Sequence, residues 1–139
     1  MCPVGARYLL GDDQRIVCHV LLVEGSDGLT LVDTGFGTAD VSAPPRSSAV
    51  FNAMMRPRLD LGEPAISQVR ALGFDPADVK HIVVTHLDID HAGGLPDFPA
   101  AQVHLWTREY EAMQRPPMRE RVRYAVGKPH WAHGPAWVT

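Results

Sequence analysis

His81-Ile82-Val83-Val84-Thr85-His86-Leu87-Asp88-Ile89-Asp90-His91-Ala92-Gly93-Gly94 is the stretch that decides the fold. Its first part is apolar and branched, as in a strand buried within a sheet. His86, Asp88 and Asp90 then alternate, so a backbone that stays extended points all three the same way. His91 follows at once, where the chain turns into Gly93-Gly94. The carboxyl edge of a strand in an α/β sheet is where ligands generally bind, and glycines there let backbone pass close to a ligand. Two imidazoles and two carboxylates in so short a span suit a borderline-to-hard divalent metal such as Zn, Fe or Mn. The competing reading is a solvated loop with an accidental pattern.

Upstream, Tyr8-Leu9-Leu10 reads as a short strand closed by a turn at Gly11-Asp12-Asp13. Ile16 to Glu24 is nearly all apolar, as a strand buried on both faces would be. Gly25-Ser26-Asp27-Gly28 is a tight reversal, and Leu29 to Val32 returns as the second arm of a hairpin that ends at Asp33-Thr34-Gly35. A polar connection over 42–48 precedes a short helix from Ala49 to Met55. A second helix opens at Glu63-Pro64, with Ile66, Val69 and Leu72 at helical spacing, and stops at Gly73. Asp75-Pro76-Ala77-Asp78 turns the chain into the decisive strand. Strand, helix, strand in this order implies a crossover and an α/β layered fold.

Downstream, Gln102 to Trp106 alternates like another strand, and Thr107 is the expected N-cap of a helix through Gln114. Pro116-Pro117 breaks it. Arg119 to Tyr124 reads as a solvated helical turn or lid, and Gly127 to Thr139 has no clear period.

At 139 residues and 45% apolar content the chain is sized for one domain with a real core. A net charge of −3 gives no electrostatic reason to expect nucleic acid or an anionic membrane as partner. Cys2 and Cys18 lie too far apart for a CxxC site and read as reduced thiols. The N-terminus has no signal-peptide pattern and no apolar run spans a bilayer, so the expected compartment is the cytoplasm.

The segment from His86 to His91 resembles the His-x-His-x-Asp-His signature of the metallo-β-lactamase superfamily. Asp33-Thr34-Gly35 resembles the Asp-Thr-Gly that ends an early strand in that fold, and the element order matches from about Tyr8 to Trp106. The lactonase-like branch is the most similar. The resemblance implies an αββα sandwich, a small-molecule substrate and two divalent metal ions, zinc first, with iron or manganese as the other choices. It places His86 and Asp88 on the first metal and Asp90 with His91 on the second. Asp90 also orients the attacking hydroxide, and Asp33 supports the site from beneath. For Asp33 the residues alone equally allow a carboxylate that only caps a turn. Asp88 departs from the commonest pattern, which has His there, and so resembles the acidic variant of the flavodiiron branch. A carboxylate is a harder ligand and tilts preference toward iron or manganese.

The superfamily's third His, bridging Asp and last His have no counterpart here. His104 comes too early, and His130 and His133 read as loop histidines in a Pro/Gly-rich tail. The whole chain, 1–139, therefore reads as the N-terminal half of the fold, completed by further sequence or by another chain; its oligomeric state is left open. Trp106, Trp131 and Trp137 read as packing residues, and Arg115, Arg119, Arg121 and Arg123 as a solvated face. The expected activity is a metal-activated hydroxide attacking a lactone, ester or amide. The alternatives are a di-iron oxidoreductase of flavodiiron type and a truncated, non-catalytic chain.

Overall fold

The computed structural model of the protein describes residues 18–55 and 57–139. Cys2, the strand expected at Tyr8-Leu9-Leu10 and the turn after it lie outside the described residues. Among the described residues, five strands form one sheet in the order β1 (Leu21–Gly25), β2 (Gly28–Val32), β3 (Val79–Val84), β4 (Gln102–Leu105) and β5 (Ala136–Val138). β1 and β2 pair antiparallel around Ser26-Asp27, with Gly25 opposite Gly28. The pairs from β2 to β5 are parallel.

Parallel neighbours need long connections, usually helical. Between β2 and β3 the chain forms α1 (Thr38–Ser42), α2 (Ala49–Met55) and α3 (Ala65–Ala71). Between β3 and β4 lies the single turn α4 (Ile89–Ala92). Between β4 and β5 come α5 (Thr107–Gln114) and α6 (Arg121–Trp131). The fold is thus α/β, as the sequence implies. No helix among the described residues is long and apolar enough to cross a membrane.

Strand alternation sorts the side chains. Leu29, Leu31, Ile82, Val84, Val103 and Leu105 are buried and join Ile66 and Val69 of α3 and Tyr124 and Trp131 of α6 in one core. The opposite face carries a row across the sheet, Leu21–Val32–Val83–His104–Val138, fixed by the strand register. In that row Leu21 is 62% exposed, and Val83 and Val138 are each 41% exposed. His81 lies on the same face, its Nδ1 3.0 Å from His104 Nε2 and its Nε2 3.3 Å from Asp27.

Several expectations need correction. Of the strand expected over Ile16–Glu24 and buried on both faces, Ile16 and Val17 lie outside the described residues, and Leu21–Gly25 forms the five-residue strand β1, largely exposed. Its only strand neighbour among the described residues is β2, and Leu21 and Val23 point to the open face. Leu72 has helical spacing yet is 64% exposed, because α3 has already ended and Leu72 is its C-cap. Trp106, in extended backbone, occupies the N-cap position of α5 rather than Thr107, which is its first residue. The polar connection over 42–48 is preceded by α1, which a reading of the sequence misses because it is too short to show a period, and itself holds a 3-10 turn over Arg46–Ser48. The segment from Arg119 into the tail is α6 followed by β5, not a lid and a loop. The sequence hides α6 because Pro129 lies inside it and its buried stripe is Tyr124, Gly127, His130 and Trp131, two of which are not apolar.

Candidate metal centre

The loop from Thr85 to Gly94 leaves the carboxyl end of β3 and is fastened to the end of β2. Thr34 N donates to the His91 carbonyl (2.8 Å), and so does Thr34 Oγ1 (2.9 Å). Gly94 N donates to the Gly35 carbonyl (3.0 Å). A Cβ on Gly94 would stand 2.9 Å from the Thr34 carbonyl, and one on Gly93 would stand 2.6 Å from Asp40 Oδ2. The glycine pair is therefore required by close packing of the loop itself.

Leu87, Ile89 and Ala92 point inward and are buried. The extended alternation expected through Asp90 stops at Asp88. Asp88 is the N-cap of α4, and its carbonyl accepts from the amides of His91 (2.9 Å) and Ala92 (2.8 Å). Asp90 and His91 therefore ride on a helical turn, because burying Ile89 and Ala92 together needs helical spacing.

Within this loop the four predicted donors form two pairs. His86 Nε2 lies 3.4 Å from Asp88 Oδ2, and His91 Nε2 lies 3.7 Å from Asp90 Oδ2. The two imidazole rings face each other with centroids 4.0 Å apart. Asp33 sits below, in left-handed backbone at φ 58. Its Oδ1 accepts from Thr85 N (2.8 Å), and its Oδ2 accepts from Thr85 Oγ1 and from His91 Nδ1, each at 2.8 Å.

His91 Nδ1 faces the Asp33 carboxylate and His86 Nδ1 faces Thr85 Oγ1 at 3.1 Å, which leaves Nε2 of each ring turned to a carboxylate oxygen of the loop. With an ion bound at Nε2, His91 Nδ1 would donate to Asp33 and His86 Nδ1 to Thr85 Oγ1. Two donors on one tetrahedral metal, each about 2.05 Å from it, stand about 3.3 Å apart. The donor chemistry and spacing fit a divalent ion in each pair. Among the described residues, no three His, Cys, Asp or Glu side chains converge as a closed shell.

Reading the sequence misses the cluster behind Asp88. Arg123, on α6, donates through Nε to Asp88 Oδ1, and through Nη2 to Glu109 Oε1 at 2.6 Å. Glu109 also accepts from Leu87 N and Tyr124 OH, each at 3.0 Å. Burial raises the Glu109 carboxyl, but Arg123, the Leu87 amide and Tyr124 outweigh it and hold it below its usual range. Burial and the hydrogen bond to Glu109 push the Tyr124 hydroxyl up to about 12. Arg123 is therefore bound into the site, not part of a solvated face, whereas Arg115, Arg119 and Arg121 are exposed. The signal available in the sequence was Arg123 beside the aromatic Tyr124.

His130 is not a loop histidine: it is buried, with Nε2 2.6 Å from Asp40 Oδ1. His133 is exposed, Trp131 is buried, and Trp106 lies at the surface.

Known proteins resemble the chain in sequence and in fold. The family described as the Metallo-beta-lactamase superfamily matches residues 14–138. A probable metallo-hydrolase of Mycobacterium tuberculosis is 48% identical over 124 residues, covering 88% of this chain and 39% of that protein. The N-acyl homoserine lactonase AttM of Rhizobium johnstonii is 36% identical over 102 residues, covering 73% and 38%. An N-acyl homoserine lactone hydrolase solved with N-hexanoyl-L-homoserine at its catalytic metal centre has a TM-score of 0.63 at 26% identity, covering 86% of this chain and 45% of that one. The chain spans about two fifths of the length of the curated relatives it matches. These relatives carry hydrolase and lactonase names, and they lend no support to the di-iron oxidoreductase alternative. With the match running over nearly all of its length and across the paired donors, the chain belongs to the metallo-beta-lactamase superfamily.

Proposed function

We propose that this chain supplies part of a binuclear hydrolase centre, His86 and Asp88 to one divalent ion and Asp90 with His91 to a second. The observation that carries the reading is the pairing itself: two imidazole Nε2 atoms, each facing a carboxylate oxygen of the same loop. Asp33 orients His91 through its Nδ1, as carboxylates commonly do beneath metal-bound histidines. Zinc is the leading ion, because imidazole and carboxylate together suit it. Bound divalent ions supply an acidified water and a Lewis acid for a carbonyl oxygen. Asp90 would accept a hydrogen bond from such a water and aim it, and Asp33 would keep His91 in the tautomer with Nε2 turned to the ion.

The substrate class is a small lactone, ester or amide, and a lactone is favoured because the named relatives include lactonases. The open sheet face and the two-donor pairs both fit a protein in which further sequence closes the sandwich and completes each shell. The whole protein's activity is proposed on that footing.

Two measurements test the reading. Zinc uptake is read by competition with a chromogenic chelator. Ring opening of an N-acyl homoserine lactone is read by the proton its product acid releases. His86→Ala and His91→Ala should each weaken zinc uptake by about 100-fold or more. Uptake and turnover that survive both substitutions would sink the assignment.

A further inference from the structure

We infer that Arg123 is the positioning residue of Asp88: it holds one carboxylate oxygen, turns the other to His86 and shares the carboxylate's charge. The inference rests on the metal-hydrolase reading above. The two oxygens of Asp88 are divided, with Oδ1 taken by Arg123 Nε and Oδ2 lying 3.4 Å from His86 Nε2. Such a carboxylate offers one oxygen to an ion, not two.

Arg123 is itself held from several sides. Nη2 donates to Glu109 on α5 at 2.6 Å, and Nη1 donates to Tyr124 OH at 3.0 Å. The guanidinium also lies over the Tyr124 ring, 4.8 Å from its centroid. Glu109 in turn accepts from the Leu87 amide, so one anchor fixes both the backbone before Asp88 and the cation bound to it. A guanidinium fork fixed in this way is a directional contact, unlike a surface lysine.

The second pair differs. Among the described residues, no guanidinium or ammonium is paired with Asp90 as Arg123 is with Asp88. Asp90 thus presents a full negative charge, while Asp88 presents a shared one, electrically closer to a neutral imidazole. A fixed cation beside a carboxylate weakens its pull on a divalent ion. Position 88 therefore carries a tempered ligand, with Arg123 supplying the tempering.

The test is zinc affinity, by chelator competition, of the 139-residue chain and four variants: Arg123→Gln, Arg123→Lys, Asp88→Ala and the double variant Asp88→Ala/Arg123→Gln. Arg123→Gln should bind zinc about tenfold more tightly, the repulsion lost between guanidinium and ion outweighing the lost positioning of Asp88. Arg123→Lys, which keeps the charge, should stay within about threefold of the parent. In the Asp88→Ala background, Arg123→Gln should change affinity by less than about twofold. A role confined to holding α6 in place would not vanish with Asp88. Circular dichroism checks each fold, and Arg123→Met, which keeps the stem over Tyr124, replaces Arg123→Gln if that variant unfolds. Weaker or unchanged binding without the arginine, or an equal gain in the Asp88→Ala background, overturns this inference alone. A parent chain with no zinc affinity overturns the metal reading and this inference together.

Discussion

His130 and Asp40 are both buried, and their side chains meet at 2.6 Å. His130 Nδ1 also lies 2.9 Å from the Gly127 carbonyl, so both ring nitrogens face acceptors, an arrangement that favours the protonated ring. Burial works against that charge, but Asp40, aided by Gly127, outweighs it and raises the His130 pKa. A raised folded-state pKa gives stability that is fully present below the unfolded value, about 6.5, and is lost as pH rises through the folded value. The melting temperature should therefore fall with rising pH above about 6.5 in the parent chain, and less steeply in His130→Gln. At pH 6 His130→Gln should cost about 3 kcal/mol, since it strands a buried carboxylate. Identical pH slopes in thermal melts of the two proteins would refute this. None of this is legible in the sequence, where Asp40 and His130 are ninety positions apart and neither has an apolar neighbour pattern. His86, Asp88, Asp90 and His91 were legible because they are contiguous, and Asp33 because it closes a strand.

At the scale of elements, α6 is the piece that reading by periodicity could not find. Its stripe uses Gly127 where a larger apolar residue would have announced a helix. The reason is packing: a Cβ on Gly127 would stand 2.1 Å from the Trp131 ring, which is buried. Alanine gains about 1 kcal/mol over glycine in helix propensity. Overpacking against a buried ring costs about 1–3 kcal/mol. The clash wins, so Gly127→Ala should lower stability in urea unfolding, and a stabilised variant would show that the Trp131 ring is free to move aside. β2 and β3 and the hairpin turn, by contrast, were plain in the sequence. Runs of branched residues between glycines have few other solutions.

At the scale of the molecule, the described residues cover one sheet face with helices and place none on the other. Leu21, Val23, Val83 and Val138 are between 41% and 62% exposed. An apolar face of this kind marks an association surface. The isolated chain should bind a hydrophobic dye and elute above its monomer mass, with the excess growing with concentration. Val83→Lys, placed in the middle of the face, should reduce both effects. A dye-silent monomer would mean that the face needs no cover. That this chain would match only part of an αββα sandwich was readable from the ligands missing after His91. Which side stays open was not, because it depends on strand register.

The backbone and side-chain bonds that tie Asp33, Thr34 and Gly35 to the loop also set its entropy. The loop is ordered by the sheet before any ion arrives. An ion reaching these donors has no segment to freeze, so ordering the chain does not subtract from its affinity.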